Sequence, residues 1–294
     1  MKHKDSTVVS DEMTLNYHLM HPGGDSAPGD PNLAYCLDDT YHLHYILRHL
    51  WQGKTSFSFI HVTSPDMLHW TWQPTKLQPS FTDHGMFSGT GFITKEGKPA
   101  AIYAATAADP RNTYIAVAKD NDLSDWEKPY PVVPKGGPEG KDMTLLADPD
   151  CFRVGDFYYA YSAAEDVRLC KSSDLVNWSY VGGLLKHEMP DVAAGEDLSC
   201  ANMFQIGDKW MLLCISHFMG CRYYLGDWDA VTEQFVPESH GRMNWRSPGQ
   251  SITDPVYRDF FAPESVLTPD GRRVMWAWLA TLDKEIDLKS LQSL

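Results

Sequence analysis

The chain has 294 residues, 43% of them hydrophobic and 12% aromatic, enough to bury a sizeable core in one large domain or two smaller ones. Its 25 Lys and Arg stand against 39 Asp and Glu, a formal net charge of −14 that repels phosphate backbones and anionic membrane surfaces. Nucleic acid and lipid are therefore poor partners, whereas a neutral polyol suits the chain. The first residues, 1–16, read as an N-terminal lead with no apolar stretch of the secretory kind. No window reaches the roughly 18 apolar residues of a membrane span. Six cysteines (Cys36, Cys151, Cys170, Cys200, Cys214 and Cys221) lack metal-ligand spacing and read as free, mostly buried thiols of a cytoplasmic protein.

From Tyr17 onward, short apolar and aromatic runs alternate with turn signals such as Pro22-Gly23-Gly24, Gly136-Gly137-Pro138 and Pro248-Gly249. Helical periodicity is absent apart from a short piece at 283–294. One pattern, Asp-(Met/Leu)-x-x-Trp, occurs at Asp66 to Trp70, Asp122 to Trp126 and Asp174 to Trp178, at intervals of 56 and 52 residues. Strand-like runs at 57–62 and 114–118 precede the first two, and Gly226-Asp227-Trp228 is a weaker echo. A period near 50 with several short strands per unit is the signature of a propeller blade, because one small sheet cannot bury both faces unless blades stack. The spacing predicts an all-β chain with a five-bladed β-propeller over 17–282. A pair of sandwiches or a β-helix would not repeat a tryptophan at this interval.

In a propeller the innermost strand of each blade meets the others at the axis. Carboxylates standing just ahead of apolar strands are therefore candidates for chemistry: Asp30, Asp148, the pair Glu196-Asp197, and Asp259. An Asp-Pro step beside a strand is also a common turn-former, yet these recur at matching places in successive repeats. Two carboxyl groups, a nucleophile or base and an acid, are what cleavage of a glycosidic bond requires. The 10 Trp, 14 Tyr and 12 Phe offer faces for sugar rings, although sheets use aromatic residues for packing as well.

Several segments taken together resemble a known family. Tyr17 to Pro22 runs into Asp30-Pro31-Asn32, and Tyr41 to Tyr45 looks like the strand that follows. His61 to Trp70, Phe87-Ser88-Gly89, Asp148-Pro149, Asp259 to Pro263, and Trp276-Ala277-Trp278 continue the series in order. These resemble glycoside hydrolase family 32, the invertases and fructanases. The resemblance implies a retaining enzyme that cleaves terminal β-D-fructofuranosyl residues from sucrose or fructo-oligosaccharides, without metal or organic cofactor. By match to the family motifs Asp30 is the nucleophile and Asp148 stabilises the transition state. Glu196 is the general acid, with Asp197 as the alternate. Asn32, Trp51, Phe87, Ser88 and Asp259 are expected to bind substrate.

The chain departs from the family pattern at several of these points. Ser199 stands immediately before Cys200, where the family carries its acid. In a regular strand Asp197 points to the same side as residue 199, whereas a bulge lets the longer Glu196 reach in. Ala147 replaces a sugar-gripping arginine, Gly29 and Leu33 flank the nucleophile motif, and Ile46 takes the place of a glutamine. Arg168 and Arg222 are candidates to compensate. The family continues into a β-sandwich, and 283–294 resembles the start of the linker to it. Two alternatives stay open: a related propeller glycosidase acting on arabinosides or xylosides, as in family 43, and a carbohydrate-binding propeller without catalysis.

Overall fold

The computed structural model describes residues 18–21, 27–51, 53–74, 77, 85–105, 112–144, 147–163, 168–192, 195–217, 220–243 and 260–279. Four antiparallel four-stranded meanders follow one another. The first joins β1 (Ala27–Leu37), β2 (Thr40–Trp51), β3 (Lys54–Ser64) and β4 (Thr71–Gln73). The second joins β5 (Met86–Ile93), β6 (Pro99–Ala105), β7 (Asn112–Val117) and β8 (Tyr130–Pro131). In the third are β9 (Asp150–Val154), β10 (Phe157–Ser162), β11 (Arg168–Ser172) and β12 (Trp178–Gly183). The fourth holds β13 (Ser199–Ile206), β14 (Lys209–Ser216), β15 (Gly220–Asp229) and β16 (Gln234–Arg242). A two-stranded sheet, β17 (Phe261–Leu267) with β18 (Arg273–Trp278), completes the described residues.

The all-β propeller expected from the repeat is present. Instead of five four-stranded blades, the described residues form four such sheets and one of two strands. The chain on either side of β17 and β18, 244–259 and 280–294, lies outside the described residues, as do the lead 1–16 and the linker 283–294. Each sheet's first strand is innermost, and β1, β5, β9, β13 and β17 touch in that order, with β17 returning to β1. Among the described residues no helix is long and apolar enough to cross a membrane.

The tryptophan repeat has a physical role in this ring. Each motif forms the turn from the third to the fourth strand, and the residue three before each tryptophan (Met67, Leu123, Leu175) has positive φ. Asp66 Oδ1 accepts the N–H groups of Leu68 and His69 at 2.9 and 2.8 Å, and Asp174 does the same for Val176 and Asn177 at 3.0 and 2.8 Å. In the middle repeat Asp120, rather than the motif's Asp122, accepts the N–H of Ser124 at 3.0 Å, because that turn is two residues longer.

The tryptophans themselves fill the seams between sheets. Trp126 packs with Leu33, Tyr35 and Phe59 between the first and second sheets, and Trp178 with Phe92, Ile102 and Tyr158 between the second and third. Trp228 meets Tyr159 at 4.8 Å between the third and fourth. Trp70 meets Trp276 at 6.1 Å, edge to face, which joins the first sheet to the two-stranded one. Ile215, Phe261 and Ala262 close the last seam.

Buried carboxyl groups also cross-link the axis. Asp150 takes the Thr90 hydroxyl at 2.6 Å and the Met203 N–H at 2.7 Å, so it ties β9 to β5 and β13. Glu264 on β17 accepts the backbone N–H groups of Ala34 and Gly91.

Candidate active site

The inner strands are irregular at one end, and that end carries the candidate residues. Register slips by one residue between Pro28, Pro31 and Ala34 in β1, between Phe87 and Gly89 in β5, between Ser199 and Asn202 in β13, and between Phe261 and Glu264 in β17. Asp148, Cys200 and Ala262 have positive φ values of 42°, 45° and 52°. A bulge breaks the alternation of side chains and re-aims them. Repeated on successive inner strands, it turns polar groups into the axis that a regular strand would send into the sheet faces.

Asp30 and Asp148 come together there. Ser88 Oγ donates to Asp30 Oδ2 at 3.0 Å, and the Asp148 carboxyl is hydrogen-bonded by Ser88, by Ser199 and by the Cys200 N–H. Cys200 Sγ lies 3.8 Å from Asp30 Oδ2 and 3.7 Å from Asp148 Oδ2, so it sits between the two carboxyls. Burial pushes Asp30 up to about 6, and the negative charge of Asp148 adds to this, while Ser88 and Cys200 pull the other way. Burial likewise raises Asp148. The electrostatic result is a pair of carboxyls that share one negative charge more readily than they carry two.

Asn32 serves the backbone around the pair. Its Nδ2 donates to the Asp30 carbonyl at 2.7 Å, and its Oδ1 accepts the Gly89 N–H at 2.9 Å. Phe87 is half-buried and stands edge-on to Phe57 at 5.1 Å. Trp51 is the last residue of β2; its side chain and all of Asp259 lie outside the described residues.

The acidic pair divides between two partners. Glu196 Oε1 stands 3.1 Å from Nη1 of the buried Arg222, an ion pair by distance whose angles fall short of a hydrogen bond. Arg222 in turn bonds His240 at 2.7 Å. Asp197 accepts the Ser199 N–H at 3.1 Å and its hydroxyl on one oxygen, and the His217 N–H at 3.0 Å and Nδ1 on the other. Burial works against it, but the His217 and Ser199 bonds outweigh burial and hold Asp197 below the usual carboxylate range. Of the two arginines singled out from the sequence, Arg222 reaches Glu196. Arg168 begins β11, the third strand out from the axis.

Sequence reasoning passed over Ser199 as a ligand of Asp148, Cys200 as the spacer between the carboxyls, and His217. A register signal for the last existed: Ser199 pairs with Ile215, so two residues further along an antiparallel ladder Asp197 faces His217.

The profile of the glycosyl hydrolases family 32 N-terminal domain matches residues 26–293. The chain belongs to glycosyl hydrolase family 32. This bears out the resemblance carried by Asp30-Pro31-Asn32, Phe87-Ser88-Gly89 and Asp148-Pro149. Among curated family relatives, a sucrose-6-phosphate hydrolase of Klebsiella pneumoniae is 27% identical over 296 residues, covering 94% of this chain and 60% of that protein. One from Bacillus subtilis is 24% identical over 303 residues, covering 96% and 60%. Fructan 1-exohydrolase IIa from Cichorium intybus superposes with a TM-score of 0.66 at 19% identity, covering 95% of this chain and 56% of that one. Sucrose-6-phosphate hydrolase from Lactobacillus gasseri gives 0.65 at 19%, covering 95% and 59%. At such identity the superpositions establish the fold. This family 32 chain spans about 60% of the length of the curated relatives it matches.

Proposed function

We propose that this chain is a retaining glycoside hydrolase that releases terminal β-D-fructofuranosyl units from sucrose or fructo-oligosaccharides. The observation that carries the reading is the Asp30–Asp148 pair, held at one end of the axis by Ser88 and Cys200. An ionised Asp30 attacks the anomeric carbon as the bond to the leaving oxygen breaks. Asp148 hydrogen-bonds fructosyl hydroxyls and stabilises the oxocarbenium-like transition state. The leaving oxygen takes a proton on the Glu196 and Asp197 side. Water then displaces Asp30 from the fructosyl-enzyme ester, and retention follows from two inversions. Asn32, Ser88, Phe87, Trp51 and Asp259 are assigned to the fructosyl subsite.

The same proposal takes 17–282 as a five-bladed catalytic propeller, with β17 and β18 as the inner half of the fifth blade. The closed order of inner strands supports it. A cytoplasmic location is part of it too, supported by six cysteines that all stand as free thiols. Relatives named as sucrose-6-phosphate hydrolases support a small fructoside as substrate.

Fructose release from sucrose, inulin and levan by the wild type and by Asp30→Ala, Glu196→Ala and Asp197→Ala tests the reading. Release by the wild type that is abolished in Asp30→Ala, and lowered in one of the acid variants, is the expected result. Release of arabinose or xylose from their glycosides, without fructose, would transfer the chain to the arabinoside reading. Sugar binding without release of any sugar would leave a binding propeller, the reading that Ser199 before Cys200 favours.

A further inference from the structure

The fructosidase reading above leaves one chemical step without a donor. Asp197 is held in its charged form by four hydrogen bonds and has no proton to give. Glu196 faces a guanidinium, which offers only donors, so its carboxylate acts there as an acceptor. Ser199 carries only a hydroxyl, far too weak an acid to protonate a departing alkoxide.

His217 occupies the remaining position. It follows β14 directly, and its Nδ1 is bound by Asp197 Oδ2. Its ring lies edge-on to Phe261 of β17 at 5.6 Å, at the end of the axis where Asp30 and Asp148 stand. Asp197 is 23% exposed and His217 48%, so the carboxylate lies deeper and the imidazole faces the opening. Through Asp197 and Ser199 the imidazole joins a continuous hydrogen-bonded chain that ends on Asp148. A carboxylate on Nδ1 fixes the ring, stabilises its cationic form and directs proton exchange to Nε2, the arrangement that makes histidine an acid or base in many sites.

We propose that His217, oriented by Asp197, is the proton donor to the leaving group in this chain. In the first step the imidazolium gives its Nε2 proton to the glycosidic oxygen as that oxygen leaves the anomeric carbon, and an Asp30 oxygen forms the new bond to that carbon. In the second step neutral Nε2 takes a proton from water as the water oxygen attacks the anomeric carbon and Asp30 departs as carboxylate. Proton and electron pairs balance over the cycle.

The test compares sucrose with β-D-fructofuranosyl fluoride, whose leaving fluoride needs no proton. His217→Gln is expected to lose about 10²- to 10⁴-fold in kcat/KM on sucrose, the span of general acid catalysis, while retaining most of its rate on the fluoride. Asp30→Ala loses both substrates, and Glu196→Gln changes both in parallel. Asp197→Asn lowers the sucrose-to-fluoride ratio in the same direction as His217→Gln, and decides the matter if His217→Gln does not fold, as read from its thermal melt. An unchanged ratio in the folded His217 variant, or a ratio that drops only in Glu196→Gln, overturns the inference and leaves the fructosidase reading intact. A wild type that cleaves neither substrate overturns both.

Discussion

Ser88 on β5 hydrogen-bonds the carboxyl of Asp30 on β1 at 3.0 Å, across the boundary between two sheets. This bond lowers the Asp30 pKa, against burial and the Asp148 charge that push it up to about 6. Attack needs the ionised carboxylate, so kcat/KM should fall as pH drops through about 6, tenfold per unit below it. The limb belongs to the Asp30–Asp148 pair as a unit. Ser88→Ala removes one lowering contact and should move the limb to higher pH in a pH–rate profile. A limb that stays in place or moves lower would count against Asp30 as the titrating nucleophile.

Asp150 offers a stability readout at the same axis. Its burial raises it to about 6 from the usual 3.8, so the folded state holds this proton more tightly than the unfolded one. Its contribution is complete below about pH 4 and is lost as pH rises through about 6. The melting advantage of the wild type over Asp150→Ala should therefore be greatest near pH 4 and shrink by about 3 kcal/mol above pH 6. An advantage that grows with pH would contradict the burial argument.

The stacked histidines predict the opposite slope. His44 and His61 stack at 4.4 Å and His42 and His61 at 5.2 Å inside the first sheet. Burial, reinforced by the charge of the neighbouring ring, drives His61 down to about 3 and lowers His44 well below its usual value. These rings stay neutral in the fold and charge when it opens, so stability falls as pH drops below about 6.5. His61→Leu should flatten that slope in denaturant melts between pH 6.5 and 4; an unchanged slope would show that His61 does not drive it.

The tryptophan turns should hold the seams unequally. Trp126 and Trp178 are almost fully buried, and each indole N–H is satisfied within its own turn, by Leu123 at 3.0 Å and Leu175 at 2.7 Å. Alanine at either should cost about 3–5 kcal/mol in urea melts. Trp70 is half-buried against Trp276, so Trp70→Ala should cost clearly less. Equal losses at Trp70 and Trp126 would mean that the repeat works through its turn rather than through the seam.

The repeated Asp-to-Trp spacing determined the propeller, because a tryptophan every 50-odd residues states that similar small sheets each need one seam filled. The sequence likewise determined the family, and it picked out Asp30, Ser88 and Asp148, whose neighbours in the chain carry strong local signals. It could not say which partner each acid of the Glu196-Asp197 pair would find. That choice depends on bulges and positive φ at Cys200, which reverse the alternation that a regular strand imposes, and on Arg222 and His217, which arrive from strands folded back beside β13. Cys200 between the two carboxyls, Asp150 and Glu264 across the axis, and Trp276 against Trp70 were decided in the same way. Each joins residues from different sheets, and only closure of the ring brings those sheets within contact distance.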